Sequence, residues 1–490
     1  MYKPVIGLEI HTQLKTDSKM FCSCINDPEN RNPNEYVCPV CLGHPGTLPV
    51  INRKAVLKVL EAGKALNCEL RDVSRFDRKS YFYPDLPKGY QISQDRRPLC
   101  YSGYLEVEGK RIRINRIHLE EDTGRLVHDN ESGHSLVDFN RSGVPLMELV
   151  TEADIRSGGE AQKFAEELRL ILKHLDISDA NMNQGQMRVE VNISLSHMEG
   201  RKGTRVEIKN LNSFRAVGRS IEYETERQKK ILERGERVLQ ETRGWDENKG
   251  ITFSQREKES VDDYRYFPEP DLPPLYLSEP PFNKENLMLS AELPQEKRRR
   301  FREEYKIIDK NDLEIFINNK ELANYFENIV SESLNCLKEK ENKEDVEEKE
   351  KEKIINIVKS YLLTDLMGLL EEKMIEKTLI TPKNFAEFAF LIYKKEISSK
   401  IAKNVLKEMN IKGDSPSHII EEKGWSQVGG VEEIDLLVKE VLEENKEAVN
   451  DYKEGKETAI QFLVGKVMAK TKGRAAPEEV NKSLKKHLQN

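Results

Sequence analysis

Val5 to Leu14, V-I-G-L-E-I-H-T-Q-L, alternates apolar and polar positions, with Ile6, Leu8 and Ile10 on one side and Glu9, His11 and Gln13 on the other. Successive side chains of a strand point to opposite faces, so this run predicts a half-buried strand presenting an acid, an imidazole and an amide in one row. A second strand-like run, Arg111 to Leu119, leads into Glu120, Glu121 and Asp122. Alternation puts Glu120 on a face with His118 and Asp122, and turns Glu121 to the other side. Met187 to Leu195 and Thr204 to Phe214 repeat the pattern, with Glu190 and Asn192, then Glu207 and Lys209, on polar faces. Tyr101 to Asn115 predicts a hairpin turning near Glu108-Gly109, and Leu136 to Leu149 a strand, a turn and a strand. A helical period marks Arg53 to Leu66 (Val56, Val59, Leu60, Gly63), Glu160 to Leu175 (Phe164, Leu168, Ile171, Leu172, Leu175) and a long charged helix ending near Arg234.

Residues 1–285 therefore read as a strand-rich α+β domain, and beyond about residue 290 helical patterns dominate. Ser398 to Met409 predicts a helix with Ile401, Val405 and Leu406 inward, and I-K-G-D-S-P-S after it marks a break. A small helical tail follows, with Ile434, Leu437, Val438 and Val441 on one stripe and Ile460, Leu463, Val464 and Val467 on another. Leu337 to Lys353 is a mixed-charge run with one apolar residue between its ends, a solvated helix or disordered insertion without assigned function.

The length of 490 residues calls for several domains. No apolar run is long enough for a bilayer and the first residues lack a signal-peptide layout, so a cytoplasmic protein with no membrane contact is expected. A net charge of -7 excludes indiscriminate coating of nucleic acid. It leaves room for a local contact, and Lys466, Lys470, Lys472 and Arg474, with Lys482, Lys485 and Lys486, concentrate positive charge in the tail. The phosphate loop G-x-x-x-x-G-K-[ST], the dinucleotide glycine fingerprint, G-x-S-x-G and the kinase loops are all missing.

Cys22 and Cys24, then Cys38 and Cys41, form two close pairs around an Asn/Pro-rich loop. That spacing suits a closed, structural four-thiolate zinc site, with His44 not needed. Cys68, Cys100 and Cys336 are isolated and read as ordinary thiols. Glu9, Glu120, Glu190 and Glu207 put an acid on each of four strands, and with His11 they offer N/O donors for Mg or Mn only if those strands share one sheet. Taken alone, Glu120 to Asp122 reads first as a solvated turn closed by Thr123-Gly124. The loop Arg78 to Gln94 carries Lys79 and Lys88, suited to anions, among aromatic residues; it also reads as a Tyr-lined surface loop.

V-I-G-L-E-I-H, F-D-R-K-S-Y-F-Y-P-D-L-P-K-G-Y-Q-I-S-Q, H-L-E-E-D-T-G, E-I-K-N-L-N-S-F, D-D-Y-R-Y-F-P-E-P-D, S-S-K-I-A-K and F-L-V-G-K-V-M stand in this order along the chain. In these motifs, and over nearly its whole length, the sequence resembles the B subunits of the aspartyl/glutamyl-tRNA(Asn/Gln) amidotransferases. The resemblance implies a cradle-shaped catalytic domain (1–293), a helical domain (294–411) and a small tRNA-binding tail (412–490). It implies a heterotrimer with two partner chains, an amidase (glutaminase) and a small third one, acting on misacylated Glu-tRNA(Gln) or Asp-tRNA(Asn). ATP and Mg would serve to phosphorylate the side-chain carboxylate, which ammonia from the amidase then amidates.

Carried over by position, Mg would be held by Glu9, His11 and Glu120, with Glu190 and Glu207 as additions; Glu190 stands where some relatives have Asp. Glu121, Lys79 and Lys88 would line the ammonia path. The cysteine quartet occurs in only some members, which implies a zinc that supports the fold and not the chemistry. A non-catalytic tRNA-binding scaffold would account for the basic tail, but not for acids recurring on strand faces.

Overall fold

The alternating N-terminal run forms β1 (Lys3–Gln13), the fifth of nine strands in the main sheet. On one side of it lie β10 (Pro145–Thr151), β7 (Lys110–Glu121), β6 (Cys100–Val107) and β2 (Glu69–Leu70), in that order. On the other lie β11 (Met187–Ser196), β12 (Val206–Leu211), β13 (Glu241–Asp246) and β14 (Ile251–Glu257). Neighbours pair antiparallel except β12 and β13. Smaller sheets join β3 (Val73–Ser74) to β16 (Leu275–Tyr276), β4 (Asp77–Ser80) to β5 (Tyr90–Ser93) and β15 (Phe267–Pro268), and β8 (Arg125–His128) to β9 (Ser135–Asp138). This computed structural model describes residues 2–29, 32–129, 133–196, 203–257, 264–370, 374–425, 431–453, 456, 458–471, 475 and 477–488. It divides into two units, Met1–Glu296 and Lys297–Asn490.

In the first unit the apolar half of each alternating strand faces helices. Ile6, Leu8 and Ile10 are fully buried in one core with residues of α1 (Arg53–Ala65), α2 (Gly158–His174) and α3 (Phe214–Glu233). Each helix starts at a side chain that accepts an otherwise orphaned backbone N–H: Asn52, Ser157 and Ser213. The hairpin β6–β7 turns at Glu108-Gly109, both with positive φ (50° and 78°), as a tight two-residue turn requires. The predicted strand–turn–strand over Leu136 to Leu149 is real as two strands but not as a hairpin: β9 pairs with β8, and β10 enters the main sheet beside β1. Phe164 of α2 is fully buried. Phe164→Ala is expected to cost this unit about 3–5 kcal/mol, measured as a lower urea midpoint of Trp245 fluorescence in a Trp425→Phe background.

The second unit is helical, with the Phe316 and Phe326 rings in tilted contact, centroids 4.6 Å apart, in its core. The charged stretch 337–353 is ordered. Leu337 is buried at the end of helix Lys320–Glu341, Asn342 closes that helix in the left-handed conformation, and Glu347 with Glu350 forms a capping box opening helix Glu348–Ser360. Helices Val431–Glu444, Thr458–Lys470 and Pro477–Leu488 bury their own cluster, including Val438, Leu463, Val467 and Leu484. Among the described residues no helix is long and apolar enough to cross a membrane.

Candidate active site

The four acid-bearing strands do share the main sheet, and their register lines the acids up. Glu9 lies opposite Glu190, His11 opposite Glu148, Glu148 opposite His118, and Asn192 opposite Glu207. Paired residues of antiparallel strands share a face, so one polar row crosses β12, β11, β1, β10 and β7. The row floors a cavity of about 510 Å³, also lined by Lys79, Arg188, Tyr264 and Tyr266. That lies within the roughly 300–1,000 Å³ of a small-molecule site.

Within the row the donors form two groups, not one. His11, Glu120 and Glu148 offer atoms within 4.8 Å of one another, and so do Glu9, Glu190 and Glu207. His11 Nε2 is 3.5 Å from Glu120 and 3.4 Å from Glu148. His118 Nε2 is 3.2 Å from the same oxygen of Glu148. Asn192 donates to Glu9 (2.8 Å), Thr242 to Glu207 (2.7 Å), and Lys209 reaches Glu190 at 2.9 Å. Glu148 is a residue that reading the sequence missed. A lone acid inside the apolar run P-L-M-E-L was its signal, because a carboxylate in a central strand needs a compensating partner.

The crowded acids act on one another and on the imidazole among them. Burial, together with Glu148, Glu190 and Glu207, pushes the Glu9 carboxyl above its ordinary range. Burial opposes a charge on His11, but Glu148 and Glu120 outweigh it and raise its pKa to about 9. Like charges facing each other across strands destabilise a sheet. The two oxygen-rich triads therefore fit hard divalent cations, the second triad with oxygens alone and the first with one imidazole.

Glu121 points away from this row. Its two oxygens lie 2.6 and 2.7 Å from Lys88 Nζ, and one accepts the Ile92 N–H at 2.9 Å. This pair borders a second cavity with Cys22, Cys41 and Gly43. Lys79 does not join it. Lys79 stands over the Tyr264 ring at 4.9 Å on the Glu120 side; burial opposes its charge, but Glu120, Tyr266 and Glu148 hold its pKa above the ordinary lysine value. The lysines predicted to work together thus serve separate compartments. Asp122, on the Glu120 side, binds Arg188 at 2.9 Å and Gln13 at 3.3 Å.

The sulfurs of Cys22, Cys24, Cys38 and Cys41 all lie within 4.8 Å of one another, and none is in a disulfide. Cys38 and Cys41 are 3.9 Å apart, against about 3.8 Å for the edge of a tetrahedron with Zn–S bonds near 2.3 Å. A hydrogen bond from Cys22 pulls the Cys41 thiol down to about 5 against the effect of burial, helped by the Cys38 N–H and Lys19. The quartet fits zinc.

In the tail, Lys466 is exposed and sits 5.2 Å from the Phe462 ring. Lys470 pairs with Glu444 (2.6 Å) and Glu440 (3.3 Å), and Lys486 with Asp435 (3.3 Å), acids that sequence proximity did not bring into view. Lys472 and Arg474 lie outside the described residues.

Residues 4–282 match the family described as GatB/GatE catalytic domain, and residues 344–488 the GatB domain. The chain is 46% identical over 502 aligned residues to the B subunit of the aspartyl/glutamyl-tRNA(Asn/Gln) amidotransferase of Thermotoga maritima, covering 100% of this chain and 99% of the relative. It is 45% identical to the proteins of the same name from Caldicellulosiruptor bescii (100% and 99% covered) and Caldanaerobacter subterraneus (99% and 99%).

Proposed function

The chain belongs to the family of B subunits of the aspartyl/glutamyl-tRNA(Asn/Gln) amidotransferases, and we propose that it activates and amidates the side-chain carboxylate of Glu-tRNA(Gln) or Asp-tRNA(Asn). The observation that carries this reading is the acid row across five strands with Lys79 at its wall. As part of an ATP-dependent, glutamine-hydrolysing carbon–nitrogen ligase, it would work with an amidase (glutaminase) chain and a small third chain.

In the first half-reaction a carboxylate oxygen of the tRNA-linked residue attacks the γ-phosphorus of ATP, and ADP departs with the bridging oxygen. Catalysis of such a transfer is mostly positioning and charge stabilisation. Lys79, kept charged by Glu120, offers its ammonium to the transferring group. Mg held by Glu9, Glu190 and Glu207, and by His11, Glu120 and Glu148, would neutralise phosphate charge when bound. Arg188, anchored by Asp122, adds a cation at the same cavity. In the second half-reaction ammonia attacks the acyl carbon and phosphate leaves. Ammonia must arrive unprotonated, and Glu121, balanced by Lys88, is the group on the opposite face able to take its proton. A bare docking scaffold would leave this row without a purpose.

The test is reconstitution with the amidase and the small third chain, following ATP cleavage stimulated by misacylated tRNA and the amide formed. ATP cleavage that persists when this chain is omitted would refute the assignment. Purified protein is also expected to carry one zinc per chain, lost in Cys41→Ser; elemental analysis decides, and unchanged zinc in that variant would exclude the quartet. We assign residues 412–490 to tRNA contact. Lys466→Glu is then expected to weaken tRNA binding and lower the salt slope by about 1, read from binding at several salt concentrations.

A further inference from the structure

The cysteine loop and the Lys88–Glu121 pair are walls of one cavity, with Cys22, Cys41 and Gly43 facing Lys88 and Glu121. Gly43 has φ +68°, and a Cβ there would stand 2.6 Å from Lys88 Cγ and 3.2 Å from its Cα. The loop backbone thus bears directly on the stem of Lys88. The loop is itself tied down. Cys38 N–H donates to Cys41 Sγ (3.1 Å), Ser142 Oγ donates to the Cys41 carbonyl (3.2 Å), and Gly143 N–H donates to the Asp122 carbonyl (2.9 Å), one residue from Glu121. Lys19, fully buried, runs beside Gly143 and ends 3.1 Å from the Phe139 carbonyl and 3.9 Å from Cys41 Sγ. Cys41 Sγ thus sits between the buried Lys19 side chain and the loop backbone at Cys38.

We infer that the cysteine loop is a positioning device for Lys88: gathered at its four cysteines, it sets Gly43 against the lysine stem and keeps the ammonium on Glu121. Its consequence for amide formation rests on the ammonia-path reading above; the positioning itself does not. A glycine nearby supplies the control. Gly46 has φ +84° with open space around it, so Gly46→Ala also forces a side chain onto a positive-φ residue but does not touch Lys88.

The experiment compares the assembled complex as wild type, Gly43→Ala and Gly46→Ala, and wild type stripped of zinc. An amine-acylating reagent and mass spectrometry read the labelling of each lysine. Lys88 labelling is expected to rise severalfold in Gly43→Ala and on zinc removal, with Lys79 and Lys15 unchanged and Gly46→Ala like wild type. Unchanged Lys88 labelling overturns the inference. So does an equal rise in Gly46→Ala, or a rise that includes Lys79, since either marks general loosening. In Gly43→Ala, glutamine-dependent amidation should fall while tRNA-stimulated ATP cleavage holds. Released Lys88 with normal amidation would support the positioning and sink the ammonia-path reading instead.

Discussion

Glu148→Gln is expected to lower tRNA-stimulated ATP cleavage and amide formation on the order of 10²–10³-fold, the scale for removing one preorganised charge at a reacting centre. Glu148 is the shared partner of His11 and His118 and completes a triad with Glu120. Its replacement keeps shape and hydrogen-bonding atoms but removes the charge that would help hold a cation and that now steadies two imidazoles. Burial works against ionising this carboxyl, yet His118 and His11 hold its pKa well below the ordinary glutamate range, so the group carries charge throughout the physiological range. The measurement is cleavage of γ-labelled ATP by the reconstituted complex, with glutamine hydrolysis assayed alongside. Wild-type turnover in this variant would remove Glu148 from the site.

The second large effect lies on the other face. In Lys88→Met the Glu121 carboxylate, 2% exposed, loses its only cationic partner among the described contacts. Removing one member of a buried pair typically costs about 3–5 kcal/mol, because the other charge stays buried and uncompensated. The unit is expected to melt at lower temperature and amidation to fail. Glu121→Gln added to Lys88→Met leaves no buried charge and should recover most of the stability, without recovering glutamine-dependent amidation. Tm and amide yield for the two single variants and the double variant form a cycle. Additive losses of Tm would show that the two groups do not act as a pair.

Much of this site was legible in the sequence because period-two patterning fixes faces. Glu9 with His11, and Glu120 against Glu121, follow from alternation alone. What alternation does not give is register between distant strands. The facing of Glu9 with Glu190, and of His11 with Glu148, depends on β1 lying between β11 and β10, a tertiary choice that divides the acids into two triads. The same limit separates Lys79 from Lys88. They lie in one loop motif, but pairing of β4 with β5 sets Lys79 opposite Gln91, while Lys88 lies in the turn before β5. Lys470 looked free for tRNA because its partners Glu440 and Glu444 are a helix away in sequence.

The central strand carries one further consequence. β1 has the core residues Ile6, Leu8 and Ile10 on one face and Glu9 and His11 on the other. A register slip of one residue exchanges those faces. Such a slip would drive an acid and an imidazole into the packing of α1, α2 and α3 and leave isoleucines in the cavity. Misfolded and inactive forms of this strand therefore coincide.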